Sequence, residues 1–264
     1  MRPRPLGRGP HPAAFLEGHP MNTPTIRFLL ACLMATPLLA KAGVQVGTTR
    51  VIYPTDAREV AVELVNRGTT PSLVQTWIDA GDPKSRPDNI EGVPFVVTPP
   101  ITRIDGGMGQ SLRVSYLGKD APKDRESLYW INVLDIPASP KKGEDNATEG
   151  QLSANLQFAV RTRLKVFLRP KGLKGSPSES VKALTWQPSS HDGKPSVLVT
   201  NPTPYYVSVA FLTIPGTGRV NAGASVPPLG AMHIDLPSPL ASGTPFVVRS
   251  INDYGGTVDT NVTP

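Results

Sequence analysis

The sequence predicts an all-β fold of two sandwich domains, and three observations point there. Gly (24) and Pro (30) are frequent among the 264 residues and spread along the chain, which favours many turns and few helices. Short apolar runs recur between turn signals at the spacing of sandwich strands. The third observation is the stretch 152–168, whose even positions Leu152, Ala154, Leu156, Phe158, Val160, Leu164, Val166 and Leu168 are apolar, with Thr162 the exception. Its odd positions are mostly polar or basic, among them Asn155, Gln157, Arg161, Arg163 and Lys165. Period-2 alternation marks a strand with one buried face. At about 3.3 Å per residue the stretch would span roughly 55 Å, far longer than an ordinary strand of about 5–6 residues. A small domain cannot cover so long an apolar row with its own core. Part of it is expected to be offered to another protein.

The elements follow in chain order. Residues 1–20 carry no targeting logic and read as an upstream extension, with Met21 as the expected start. From Met21 a short n-region with Arg27, an apolar run Phe28–Ala40 and the small-residue site Ala40-Lys41-Ala42 read as a secretory signal peptide cut after Ala42. The apolar run is too short to span a bilayer. The only cysteine, Cys32, lies inside it, so the mature chain has no disulfide or thiolate chemistry. Strands of a first domain, 43–170, are expected at 44–53, 59–66, 72–79, 94–97 with 101–104, 110–117, 127–136 and 152–168. Seven strands is an immunoglobulin-like count. A polar loop, 137–151, precedes the long strand. Residues 171–179 form a Gly/Pro/Ser/Lys linker. A smaller second domain, 180–264, carries strands at 181–186, 196–200, 205–213, 230–236 and 245–251. No amphipathic helix is expected.

The charge and motif content excludes much. Five of the 27 Lys+Arg and one of the 21 Asp+Glu fall in residues 1–42, which leaves 22 basic against 20 acidic side chains. So even a balance gives no support for nucleic-acid binding. His191 and His233 have no metal-ligand spacing and read as exposed histidines. Gly106-Gly107-Met108-Gly109 lies between strands and reads as a tight turn, not a phosphate loop. Asn146-Ala147-Thr148 is read as a chance sequon. No paired-carboxylate, nucleophile or metal constellation is present, so neither an enzyme nor a cofactor is expected. Trp77, Trp130 and Trp186 all fall within strand patterns and are expected in the core.

Several stretches together resemble the periplasmic pilus-assembly chaperones of the chaperone–usher pathway. They are Thr49–Pro54 (TRVIYP), 95–114 (FVVTPPITRIDGGMGQSLRV), 126–137 (ESLYWINVLDIP), 163–170 (RLKVFLRP) and Ile251–Gly256 (INDYGG). The order and spacing match along the whole mature chain. The resemblance implies two immunoglobulin-like domains in an L arrangement, with a subunit-binding cleft between them. It implies a non-enzymatic chaperone that lends its long strand to pilin subunits lacking their last strand and delivers them to an outer-membrane usher. By position, Arg50 and Lys165 match the residues that hold the subunit's C-terminal carboxylate. Leu156, Phe158 and Val160 match the donated residues. Glu126, Arg169 and Asp253 match an interdomain charge network. The absence of a cysteine pair points to the short-loop type, although 137–151 is somewhat long for it. A long apolar edge is a liability in a free monomer, so weak self-association is expected without subunit. The rival reading is a secreted two-domain sandwich adhesin or carbohydrate-binding module, which would present aromatic or carboxylate-rich loops to its ligand.

Overall fold

The computed structural model describes residues 43–118, 121–138 and 157–264. The signal-peptide stretch with Cys32 and the Ala42 site, the sequon at Asn146 and the donor residue Leu156 lie outside them. The described chain is strand-rich with one short helix. In order it runs β1 (Val44–Val46), β2 (Arg50–Pro54), β3 (Val60–Asn66), β4 (Ser72–Asp79), β5 (Phe95–Thr98), β6 (Ile101–Ile104), β7 (Gly109–Tyr116), β8 (Ser127–Pro137) and β9 (Val160–Arg169). Helix α1 (Pro177–Ala183) follows, then β10 (Thr185–His191), β11 (Lys194–Asn201), β12 (Val207–Ile214), β13 (Gly218–Val226), β14 (Gly230–Asp235), β15 (Phe246–Ile251) and β16 (Thr257–Val262).

The first sandwich packs the sheet β1-β3-β7-β5 on the sheet β2-β9-β8-β4-β6. Alternate residues of each strand meet in one core: Val62 and Leu64, Leu112 and Val114, Phe95 and Val97 from one sheet, and Val74, Ile78, Ile131, Val133, Leu164, Val166 and Leu168 from the other. Tyr53 is fully buried among them. Its hydroxyl donates to the carbonyls of Ala57 and Arg58 and accepts from the Tyr116 N–H, so the buried polar atom is satisfied. The second sandwich packs β10-β11-β14 on β13-β12-β15-β16 around Trp186, Val197, Val199, Leu212, Val226 and Phe246.

Several sequence expectations need correction. The strand expected at 44–53 is two strands in opposite sheets. β1 pairs with β3 in one, and β2 runs parallel to β9 in the other. The segment Gly47–Thr49 makes the crossing, with the Gly47 N–H bonded to the Glu63 carbonyl at 2.8 Å. Pro99-Pro100 separates β5 from β6 in the same way, because two residues without N–H groups cannot carry a ladder. The first sandwich therefore has nine described strands. The long strand begins only at Val160. Residues 157–159 are not in a strand, and 152–156 lie outside the described residues.

The expected strand 181–186 is the end of α1 followed by the start of β10. The helix begins inside the expected linker, where Ser176-Pro177-Ser178-Glu179 supplies an N-cap, a first-turn Pro and a capping box. The Ser176 hydroxyl accepts the Glu179 N–H at 3.3 Å and donates to its carboxylate at 2.9 Å. Two strands were not expected: β13, whose inward row Val220, Ala222, Ala224, Val226 is built mostly of small residues, and the polar edge strand β16.

Candidate functional site

The central element is β9, and its two halves have different neighbours. It pairs antiparallel with β8 from Val160, opposite Asp135, to Leu168, opposite Ser127. On its other side β2 begins only at Arg50, which stands opposite Lys165 in parallel register. Residues 165–168 are thus paired on both sides, and Arg169 pairs with β2. Residues 160–164 have no strand partner on the second side among the described residues. The apolar row follows the same division. Leu164, Val166 and Leu168 are buried in the first core, whereas Val160 and Phe158 are 55% and 66% exposed. An apolar row therefore leaves the core and enters solvent along an open sheet edge.

Where the open edge ends, two cations lie side by side. Arg50 is buried, and its Nη1 donates to the Ile251 carbonyl at 3.0 Å and the Ser208 hydroxyl at 3.4 Å. Its Nε is buried without a partner. Lys165 Nζ donates to the Ser225 hydroxyl at 2.5 Å. No carboxylate forms an ion pair with either side chain among the described residues. Burial, then the neighbouring Arg50 charge, pushes the Lys165 ammonium down to about 8. Burial also lowers Arg50, with Asp253 acting the other way. Two desolvated cations that form no ion pair among the described residues, seated on neutral serine and carbonyl oxygens, are suited to accept an anion.

Further along β9 one cation is held by two carboxylates. Arg169 Nε donates to Glu126 Oε1 at 2.5 Å. Its two terminal nitrogens donate to both Asp253 oxygens at 2.7 and 3.1 Å. The other Glu126 oxygen accepts the Tyr206 N–H at 2.7 Å, and the Glu126 N–H donates to the Pro204 carbonyl at 2.9 Å. Burial works against the Arg169 charge, but the bonds to Asp253 and Glu126 outweigh it and hold the guanidinium above its ordinary value. The network joins the two sandwiches, since Tyr206 and Asp253 belong to the second. Phe167 packs on Tyr206 beside it, with ring centroids 5.8 Å apart, and Arg169 lies 5.4 Å from the Tyr205 ring.

The structure thus brings Arg50 next to Lys165, and Glu126 and Asp253 onto Arg169, while Phe158 and Val160 stand clear of the core. Sequence reasoning missed Ser208, Ser225, Tyr205, Tyr206 and Phe167. The serines carry no spacing signal, but Phe167 did break the polar parity of the odd positions.

The tryptophan expectation needs one correction. Trp77 and Trp186 are buried, but Trp130 is only partly covered and lies under Arg163 (4.3 Å) and Lys165 Nζ (5.6 Å). It faces outward because it alternates with the inward Ile131 and Val133. His191 and His233 are not independent surface residues. Their rings stack at 4.6 Å, and His233 Nδ1 lies 3.1 Å from the Ser196 hydroxyl. Among the described residues, no group of three or more His, Cys, Asp or Glu could hold a metal ion. No described helix is long and apolar enough to cross a membrane.

Comparison with known proteins covers both sandwiches. Residues 43–174 match the family of pili and flagellar-assembly chaperones, PapD N-terminal domain. Residues 179–262 match the pili assembly chaperone PapD, C-terminal domain. The probable fimbrial chaperone YadV of Escherichia coli is 41% identical over 225 residues, covering 83% of this chain and 89% of the relative. The chaperone protein MrkB of Klebsiella pneumoniae is 38% identical over 224 residues, covering 83% and 90%. Among solved structures, the YadV chaperone superposes with a TM-score of 0.68 at 38% identity, covering 84% of this chain and 99% of its own. A chain from the complex of the Salmonella enterica SafA pilin with the SafB chaperone gives a TM-score of 0.70 at 27% identity, covering 84% and 96%.

Proposed function

Since the chain belongs to the pilus-assembly chaperone family, we propose that it captures fimbrial subunits by donor-strand complementation in the periplasm and passes them to an outer-membrane usher. It is a chaperone of pilin subunits, and the reading requires neither a cofactor nor a nucleotide. The N-terminal segment acts as a signal peptide cut after Ala42. The subunit lacks a strand, and Leu156, Phe158 and Val160 fill the resulting groove. Its own last strand lies along the open edge of β9 at 160–164, and its terminal carboxylate comes to rest on Arg50 and Lys165. Glu126, Arg169 and Asp253 hold the two sandwiches at the angle the cleft needs.

One observation carries this reading. The apolar row leaves the core on an open edge, and that edge stops where two cations that form no ion pair among the described residues sit in register. The energetics fit. Each large apolar side chain moved from water into a groove contributes about 1.5–3 kcal/mol. The carboxylate contact fixes the register, because a one-residue slip would turn the apolar row outward. The adhesin reading is disfavoured by the family membership and by the burial of Trp77 and Trp186, which removes two aromatics from ligand-facing loops.

The test is co-expression with candidate pilins and purification of periplasmic complexes, with wild type beside Arg50→Ala and Lys165→Ala. Pilin should co-purify with wild type and be lost from both variants, whose circular dichroism stays normal. Equal pilin yield from all three would defeat the carboxylate assignment. Without subunit, the exposed Phe158 and Val160 favour weak self-association. Sedimentation across a concentration series should show it, and a strictly monomeric protein would refute it.

A further inference from the structure

Among the described residues the open half of β9 has one neighbouring strand, yet both of its outward arginines are tied down. Arg161 and Arg163 reach across β8 to β4, where the Asp79 side chain is only 2% exposed. Asp79 Oδ1 accepts from Arg163 Nη2 at 2.5 Å and from the Gly81 N–H at 2.7 Å. Asp79 Oδ2 accepts from Asn132 at 2.7 Å, from Ser85 at 2.9 Å and from Arg163 Nε at 3.4 Å, and lies 3.8 Å from Arg161. Burial works to raise the Asp79 carboxyl, but the bonds from Arg163, Asn132, Gly81 and Ser85 outweigh it and leave it below the usual carboxylate range.

Arg161 donates to Asn132 Oδ1 at 3.0 and 2.7 Å, to the Pro83 carbonyl at 2.9 Å and to Ser85 at 3.1 Å. Its guanidinium lies 4.8 Å from the Trp77 ring, and that of Arg163 lies 4.3 Å from the Trp130 ring. Two cations from one half-paired strand are thus clamped between rings and a single buried carboxylate.

We propose that Asp79 is a positioning residue for the donor strand, holding residues 160–164 of β9 extended against β8, through Arg161 and Arg163, before a subunit arrives. The proposal rests on the donation reading above but concerns a different step. Donation requires a strand that is straight while one of its edges is empty, and a strand paired on one side frays more readily than one paired on both. The strap replaces the missing neighbour on the side-chain level and leaves the open backbone edge free. A ligand pays for a binding-competent state in proportion to its rarity, so bracing the strand raises the competent fraction and the association rate.

The test compares wild type with Asp79→Asn, reading amide exchange and the binding of a 15-residue peptide of alternating apolar residues with a free C-terminal carboxylate. In Asp79→Asn the amides of 160–164 that bond to β8 should exchange about tenfold faster, and peptide association should slow by a similar factor. Exchange in β3 and β7 should stay unchanged. Arg163→Lys, which keeps Asp79 and a cation beside it, should retain most of the wild-type protection and association rate.

Unchanged exchange at 160–164 would overturn the proposal. So would a uniform rise across the first sandwich, which would make Asp79 a general stabiliser, or a local rise with unchanged association. Should Asp79→Asn fail to fold, Arg161→Gln with Arg163→Gln reads the same strap from its exposed side and must give the same local effect. Lys165→Ala keeps the strap and weakens only the carboxylate contact, so its exchange at 160–164 should match wild type. If wild type bound no peptide while Asp79→Asn still loosened the strand, the donation reading would fail and the strap would be a feature of the fold alone.

Discussion

The two halves of β9 differ in environment but not in sequence pattern. Both follow the same alternation of apolar and basic residues, broken once in each half, at Thr162 and at Phe167. In 165–169 the apolar members Val166 and Leu168 are fully buried, and strands flank them on both sides. Before them, Phe158 and Val160, of the same parity, face solvent, Leu164 is already in the core, and 160–164 has no second strand neighbour among the described residues. Alternation therefore states which face of a strand is apolar, and the neighbours decide whether that face is core or binding surface. The cations divide in the same way. Arg169 is held by Glu126 and Asp253, while Arg50 and Lys165, within the same parallel pair of strands, form no ion pair among the described residues.

The largest effect should come from placing charge on the exposed row. Phe158→Glu or Val160→Glu would bury a carboxylate in the subunit's apolar groove and should reduce pilin capture by about a thousandfold or more. Gln157→Glu changes the opposite face and should be tolerated. Pilin co-purification reads the contrast, and the reverse order of effects would mean the strand faces the other way.

Next comes the unmatched pair. Lys165→Ala should weaken capture by about 2–5 kcal/mol while leaving the melting temperature near wild type. The matched network should respond in the opposite sense. Arg169→Ala leaves Glu126 buried without its cation and should destabilise by about 3 kcal/mol, visible as a lower melting temperature and low periplasmic abundance. An unchanged melting temperature would remove the network from the account.

The titration of Lys165 sharpens the same contrast. Its folded value of about 8 lies below the ordinary 10.5, so above pH 8 the free protein loses the charge proposed to hold a carboxylate. Capture should be full below about pH 7 and fall as pH rises through 8, and Lys165→Arg should flatten that profile. Stability should run the other way. The unfolded chain keeps the proton up to its higher value, so this group makes the subunit-free protein more stable as pH rises from 8 towards 10.5. The smallest effect is expected far from the strand. Ser176→Ala removes the cap of α1 and should cost about 1 kcal/mol in denaturant unfolding without touching capture.

What was legible in the sequence follows from these physical causes. The parity of β9 and of β3 was readable because each buries one face. The crossing at Gly47–Thr49 was not, since the residues on both sides of it have similar apolar content and only their sheet differs. In sequence, helix α1 reads as linker and strand: Ser176, Pro177 and Glu179 carry its cap, but a seven-residue helix has too few turns to show periodicity. β13 was hidden because its inward row uses Ala222 and Ala224, which carry little hydropathy. Arg50 and Lys165 stood out only through the resemblance, because an unmatched cation looks like any surface charge until its neighbours are known. Asp79 lay in a readable strand, but its link to Arg161 and Arg163 spans more than 80 residues.

The most direct test is residue-resolved amide exchange of β9, free and with a captured pilin subunit. The amides of 160–164 that are not bonded to β8 should exchange quickly in the free protein and become strongly protected on capture. Those of 165–169 should be protected in both states, because β2 already occupies that edge. Exchange at 160–164 that stays fast in a complex shown to contain pilin would contradict subunit pairing at the open half of β9.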